Sequence, residues 1–252
     1  MDKEIDTVVK PKKKKRRKKH YFLRLLIFIA LIVGAVFALR SELFDVKKFE
    51  ISGNNYYTAA QIQEMSGLKT GVNMFEQKLG PAKEALLEDP YIKTVSISRK
   101  PMDTICIEIE ERKEYACVPS DEYGFGLIDN EGMVLRFSEE QPVLPLLDGM
   151  EIIDMTPGKA LDINQSYLLT NTLELLEVMS ADDLYFKKIK FSSVIVKAYI
   201  YDELYCEGTP EHITQQMGSI KKLVEEQYSQ GITRGVIKVG KDNYLAFSPK
   251  IE

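Results

Sequence analysis

Val95-Ser96-Ile97-Ser98-Arg99-Lys100-Pro101-Met102-Asp103-Thr104-Ile105-Cys106-Ile107-Glu108-Ile109-Glu110 decides the fold of the first half of this chain. Val95 and Ile97, then Ile105, Ile107 and Ile109, alternate with Ser96, Ser98, Cys106, Glu108 and Glu110, the two-residue period of half-buried strands. Lys100 to Asp103 turns the chain between them. One face of the resulting sheet is apolar and the other wet, so helices must cover the apolar face.

Upstream, the sequence supplies those helices. Val46 to Ser52 is rich in strand formers and ends at the turn pair Gly53-Asn54. Thr58 opens a helix with Gln61 in capping-box position, and Ser66-Gly67 closes it. Gly80-Pro81 announces a second short helix that ends before Asp89-Pro90. The order from Phe44 is therefore strand, helix, helix, strand, strand.

Further upstream the chain changes character. Residues 1–20 hold ten basic residues against three acidic ones, and the nearly uncharged run Tyr21 to Leu39 follows at once. At ~1.5 Å per residue that run reaches ~28 Å as a helix, close to the ~30 Å of a bilayer core. Arg24 lies one turn from the basic end, where its stem carries the charge back to the headgroups. Lys12, Lys13, Lys14, Lys15, Arg16, Arg17, Lys18 and Lys19 flank one side, whereas Arg40 alone flanks the other before acidic residues begin. The positive-inside rule then leaves the tail cytoplasmic and the rest outside. A cleaved signal peptide is the competing reading, but Ala35-Val36-Phe37-Ala38 lacks the small-x-small pattern and the charged region is unusually long. The lysine run also fits nucleic-acid binding or nuclear import; its position beside an apolar span explains it with fewer assumptions.

The formal net charge of −4 hides an asymmetry: of 34 Lys and Arg, twelve precede Ser41, as do three of the 38 acidic residues, leaving the remainder near −13. Such a surface does not bind nucleic acid or anionic lipid non-specifically. About 210 residues suffice for one or two cores without disulfides. Cys106, Cys117 and Cys206 are odd in number, lack C-x-x-C spacing and have no histidine cluster beside them. Cys106 and Cys117 can pair only if neighbouring strands align them; free thiols are expected.

Downstream, Gly126-Leu127-Ile128-Asp129-Asn130-Glu131-Gly132-Met133-Val134 reads as a hairpin turning at Asp129 to Gly132. Gln165 to Met179 carries Leu168, Leu169, Leu173, Leu176 and Met179 at helical spacing, a core-packing pattern. Val194, Val196 and Ala198 alternate as a strand, and Tyr201-Asp202-Glu203 turns into Leu204 to Glu207. A helix from about Glu211 to Tyr228 presents Ile213, Met217, Ile220, Val224 and Tyr228 to the sheet. Gly235 to Val239 and Tyr244 to Phe247 close the chain as two short strands around Lys241-Asp242-Asn243.

These pieces carry a resemblance. Val46 to Asn54, Asp89-Pro90-Tyr91-Ile92, Val95 to Pro101 and Ile107-Glu108-Ile109-Glu110-Glu111-Arg112, in this order behind a basic-flanked anchor, resemble the POTRA domain of the FtsQ/DivIB cell-division family. Gly126 to Val134, Leu144-Pro145-Leu146-Leu147-Asp148-Gly149 and the Gly208 region are similar to segments of its second domain. Where family members often carry an acidic and a basic residue in the penultimate strand, this chain has Ile237-Lys238-Val239-Gly240. The implied fold class is α+β: a transmembrane helix (21–39) behind a basic tail (1–20), a βααββ POTRA domain (44–112), and a mixed β-rich partner-binding domain with two helices (113–252).

Signals for catalysis are thin. His20 lies in the basic tail and His212 near a helix start; no Ser, Cys or Thr has a histidine partner in a motif, and phosphate-loop and zinc-protease motifs are absent from the sequence. Glu110-Glu111, Glu139-Glu140 and Asp182-Asp183 are adjacent carboxylates, which on a strand point to opposite faces. The expectation is a non-enzyme without cofactor, metal or small-molecule substrate. An open sheet edge, in contrast, leaves backbone groups that an extended segment can satisfy. Tyr244, Leu245, Ala246, Phe247, Ser248 and Pro249 form the candidate edge, with Tyr244 and Phe247 readable equally as core closure. The resemblance implies single-span partners of FtsB/DivIC and FtsL type, bound there beside the inner membrane at the septum. Wall hydrolysis or sensing by the outer part, and POTRA-mediated polypeptide handling in secretion, are the alternatives.

Overall fold

The computed structural model describes residues 20–182 and 184–250. The basic run Lys12 to Lys19, on which the topology expectation rests, and Asp183 lie outside the described residues. Helix α1 (Tyr21–Leu39) buries none of its side chains. An apolar helix that packs on nothing of its own chain is suited to a lipid environment, where its side chains lose no solvation advantage.

A 3-10 turn at Glu42–Phe44 leads into the first module: β1 (Lys48–Ser52), α2 (Ala59–Ser66), α3 (Leu79–Leu87), β2 (Ile92–Lys100) and β3 (Thr104–Glu111). The sheet order is β1-β3-β2, with β1 parallel and β2 antiparallel to β3. This is the βααββ order expected from the sequence. The capping box forms as read: the Gln61 N–H donates to Thr58 Oγ1 and the Thr58 N–H to Gln61 Oε1. Gly67 ends α2 in the left-handed conformation. Ile62, Ala82 and Leu86 from the helices meet Val95, Ile105, Ile107 and Ile109 in one core.

The second module follows without a linker. Its strands are β4 (Ala116–Ser120), β5 (Gly124–Ile128), β6 (Val134–Ser138), β7 (Leu146–Asp148), β8 (Ile152–Asp154) and β9 (Asp162–Ile163). Helix α4 (Ser166–Asp182) then precedes β10 (Lys188–Ser192), β11 (Ile195–Tyr199) and β12 (Leu204–Gly208). Two helices, α5 (Pro210–Gln215) and α6 (Met217–Ser229), lead to β13 (Gly235–Val239) and β14 (Leu245–Pro249). Nine strands form one sheet in the order β14-β13-β12-β11-β10-β7-β4-β5-β6, and β8 and β9 pair separately. The short strand β7, parallel to both β4 and β10, joins the two halves. Leu168, Leu169, Leu173, Leu176 and Met179 of α4 share a core with Ile213, Met217, Ile220 and Val224 and with Ile189, Val196, Cys206 and Ile237 of the sheet.

Several expectations are corrected. The second module has three described helices instead of two, because the segment expected as one helix breaks at Gln216. There the buried side-chain amide donates to the Gly240 carbonyl at 2.8 Å, tying the break to the end of β13. Tyr228, expected to face the sheet, is exposed, and Val194 sits in a turn after Ser193, which has a positive φ of 52°. Cys106 is buried although it alternates in sequence with the residues of the wet face. All three cysteines are free, so Cys106 and Cys117 do not pair.

Candidate partner-binding edge

The last hairpin places the candidate residues. Asp242 and Asn243 both have positive φ, 54° and 58°, as a primed hairpin turn requires of two successive residues. The Tyr244 N–H donates to the Lys241 carbonyl and the Gly240 N–H to the Tyr244 carbonyl. With the register Val239↔Leu245, Ile237↔Phe247 and Gly235↔Pro249 unbroken, the alternation of an antiparallel ladder follows from that bond. Tyr244, Ala246 and Ser248 aim their backbone groups at β13; Leu245, Phe247 and Pro249 aim theirs outward. Since β14 ends the sheet, no strand lies against that outer side among the described residues. Two N–H groups and three carbonyls are thus presented, and the position whose N–H proline lacks is an outward one.

Side chains follow the same parity. Leu245 and Phe247 are half-buried and pack against the core on the side of Ile237 and Val239. The Phe247 ring lies across Gly235, where a Cβ would come within 2.5 Å of Cε2, so a side chain at that position would displace the ring. Tyr244 points elsewhere and is 57% exposed. The structure therefore separates the two rings that the sequence treated alike: Phe247 closes the core beneath the edge, and Tyr244 is free beside it.

The face of the sheet opposite α4, α5 and α6 adjoins this edge. Tyr199 and Tyr205 lie there with ring centroids 4.9 Å apart, and Lys197 Nζ sits 5.4 Å from the Tyr205 ring and 3.9 Å from Glu207. Lys190 and Lys238 add exposed cations on that face. Sequence reasoning passed over these residues, although the alternation of Tyr205 and Glu207 with buried Leu204 and Cys206 carries the signal. At its far end the sheet is less open: the Val134 N–H donates to the Lys159 carbonyl and the Gly158 N–H to the Val134 carbonyl, covering the start of β6.

Among the described residues the carboxylate pairs Glu110-Glu111 and Glu139-Glu140 are not assembled into a shared site; Asp183 lies outside them. Glu111 accepts hydrogen bonds from the backbone N–H groups of Asn55, Tyr56 and Tyr57 at 2.5, 2.6 and 3.0 Å, binding β3 to the loop before α2. Glu110 instead lies 3.7 Å from Lys93, and Glu139 and Glu140 are exposed. His212 donates its backbone N–H to the Thr209 cap, as its place at a helix start implies. Among the described residues no three His, Cys, Asp or Glu side chains gather as metal ligands.

Comparison with known proteins shows what the chain is similar to. Residues 44–112 match the FtsQ-type POTRA domain. The chain is 27% identical over 197 residues to the cell division protein DivIB of Clostridium acetobutylicum, covering 75% of this chain and 77% of that one. It is 24% identical to the cell division protein DivIB of Clostridium botulinum strain Hall over 83% of each chain. Cell division protein FtsQ of Corynebacterium glutamicum is 29% identical over 113 residues, 41% of this chain and 50% of its own. Through its POTRA domain and its similarity along most of its length, the chain is a relative of the FtsQ/DivIB cell-division proteins.

Proposed function

We propose that this protein is a single-pass, non-enzymatic scaffold of the bacterial division machinery that recruits FtsB/DivIC-type and FtsL-type partners to the septum by strand addition. The names borne by its relatives support the division role. The observation that carries the docking mode is the outer side of β14, whose Leu245 and Phe247 N–H groups and Leu245, Phe247 and Pro249 carbonyls face away from β13. An added strand satisfies those groups and places its own alternate side chains beside Tyr244 or over the open face. Helix α1 anchors the chain with its basic tail in the cytoplasm, and confinement of the partners to the same membrane raises their effective concentration at the edge.

Residues 41–252 mixed with a DivIC-like ectodomain in a calorimeter test this reading. Binding is expected, weakened at least about tenfold, ~1.4 kcal/mol, by Tyr244→Glu. Peptidoglycan incubated with the same protein is expected to remain intact. Wall cleavage abolished by replacing a single carboxylate would show the chain to be a hydrolase instead.

A further inference from the structure

We infer that the membrane-proximal corner of the first module is itself a lipid-binding surface, with Leu43 and Phe75 entering the outer leaflet beside the end of α1. Leu43 lies four residues after Leu39, past the extended Ser41 and within the 3-10 segment Glu42–Phe44, and is 70% exposed. Phe75, 49% exposed, packs edge-on against Phe44 with centroids 5.4 Å apart. Both are large apolar side chains with about half or more of their surface exposed, and both sit where α1 stops.

The corner is fastened to the helix end instead of hanging from it. Asn73 is 7% exposed; its Nδ2 donates to the Leu39 carbonyl at 2.9 Å and approaches the Ser41 carbonyl at 3.4 Å, while its Oδ1 accepts from the Phe75 N–H. The Met74 N–H donates to the Phe44 carbonyl, and the Arg40 N–H to that of Val36. Ser41 gives both its N–H and its hydroxyl to Ala38. The Val36, Ala38 and Leu39 carbonyls at the end of α1 are thereby satisfied, as a bilayer that does not solvate them requires, and one asparagine fixes the loop bearing Phe75 against that end. From the other side, Arg99 donates to the carbonyls of Met74 and Gln77 at 2.8 and 3.0 Å and lies 6.0 Å from the Phe75 ring. An apolar pair held beside the end of a span of this length lies at the headgroup boundary, where aromatic and aliphatic side chains partition favourably. The occupant is the leaflet that α1 crosses, because the patch is continuous with α1 itself. Lipid contact at this corner would set the tilt of the whole outer part, and with it the height of β14 above the membrane.

This inference rests on α1 spanning the bilayer, and the test separates the two. The chain contains no tryptophan, so each of L43W, F75W, F28W and Y228W carries a single reporter. Each full-length variant is placed in vesicles of phosphatidylethanolamine and phosphatidylglycerol with and without acyl-brominated lipid. L43W and F75W are expected to emit blue-shifted light and lose roughly half their intensity to brominated lipid, as residues at the boundary do. F28W in the span loses more, and Y228W, remote and exposed, loses none. Quenching of F28W with L43W and F75W behaving like Y228W overturns the lipid surface and leaves the span in place. Absence of quenching at F28W removes the span and the inference together.

Discussion

Arg112, at the end of the first module, holds the carboxylate of Asp129 in the turn between β5 and β6 of the second. Asp129 is 1% exposed, and its Oδ1 also accepts from the N–H groups of Glu131 and Met133 at 2.9 and 2.8 Å. Glu131 joins the same guanidinium at 2.8 Å and reaches Lys93 of β2. Close by, Arg136 of β6 donates to both Tyr91 and Glu114. Charged groups from both modules thus interlock around the junction.

Removing Arg112 leaves a buried carboxylate without its cation, a loss of roughly 3–5 kcal/mol where a buried pair is broken. Arg112→Met is therefore expected to lower the guanidinium unfolding midpoint of residues 41–252, and Glu131→Gln to lower it far less, since that carboxylate is half in water. Asp129→Asn keeps the backbone bonds through its Oδ1 and is expected to fall between the two.

A second relationship predicts pH dependence. Hydrogen bonds from Lys100 and then Lys48 hold the Glu50 carboxyl down to about 2, from an ordinary 4.5. A depressed folded value means that the stabilisation is fully present above the unfolded value and is lost as pH falls from about 4.5 through about 2. A carboxyl-resolved NMR titration is expected to give Glu50 a midpoint far below that of an ordinary glutamate. High salt is expected to shrink the difference, because the cluster is open to water.

Much of this architecture is legible in the sequence wherever the signal is local. The Tyr21–Leu39 helix, the Thr58 and Gln61 capping box, the Asp129 to Gly132 turn and the apolar stripe of α4 are each written within a few consecutive residues. What escapes is long-range. Nothing near Leu146 says that a three-residue strand will lie parallel to both β4 and β10, and nothing near Gln216 says that Gly240 will accept its amide across 24 positions. Cys106 alternates as a solvent-facing residue should, yet it is covered, with its thiol 3.6 Å from Glu50, which Lys48 and Lys100 hold over it. The candidate edge divides likewise: that β14 is a strand is local information, whereas its place at the end of nine, and the opposite fates of Tyr244 and Phe247, arise from pairing.

The thiols give a kinetic prediction. Burial pushes Cys206 up to about 12 and Cys117 to about 11, so neither supplies thiolate near neutral pH. Cys106 is shielded by position. An aromatic disulfide reagent at pH 8 is expected to label none of the three in the folded protein and all three in guanidinium; rapid labelling of one alone would show that its strand opens.

The parity of β14 allows a sharper test than side-chain replacement. At Leu245 the N–H points outward, so Leu245→Pro deletes a donor offered to an incoming strand while sparing every β13 bond, and prolines are tolerated on edges in that orientation. At Ala246 the N–H points inward, so Ala246→Pro removes the ladder bond to Lys238 and is expected to cost roughly 1–3 kcal/mol of stability. Measured side by side, Leu245→Pro should weaken partner binding about tenfold or more, ~1.4 kcal/mol, while lowering the unfolding midpoint only by the lost packing of Leu245, which Leu245→Ala reproduces with its N–H kept; Ala246→Pro should lower the midpoint further. Full partner affinity in a folded Leu245→Pro protein would mean that the partner docks elsewhere, and the open face around Tyr199 and Tyr205 would be the next surface to mutate.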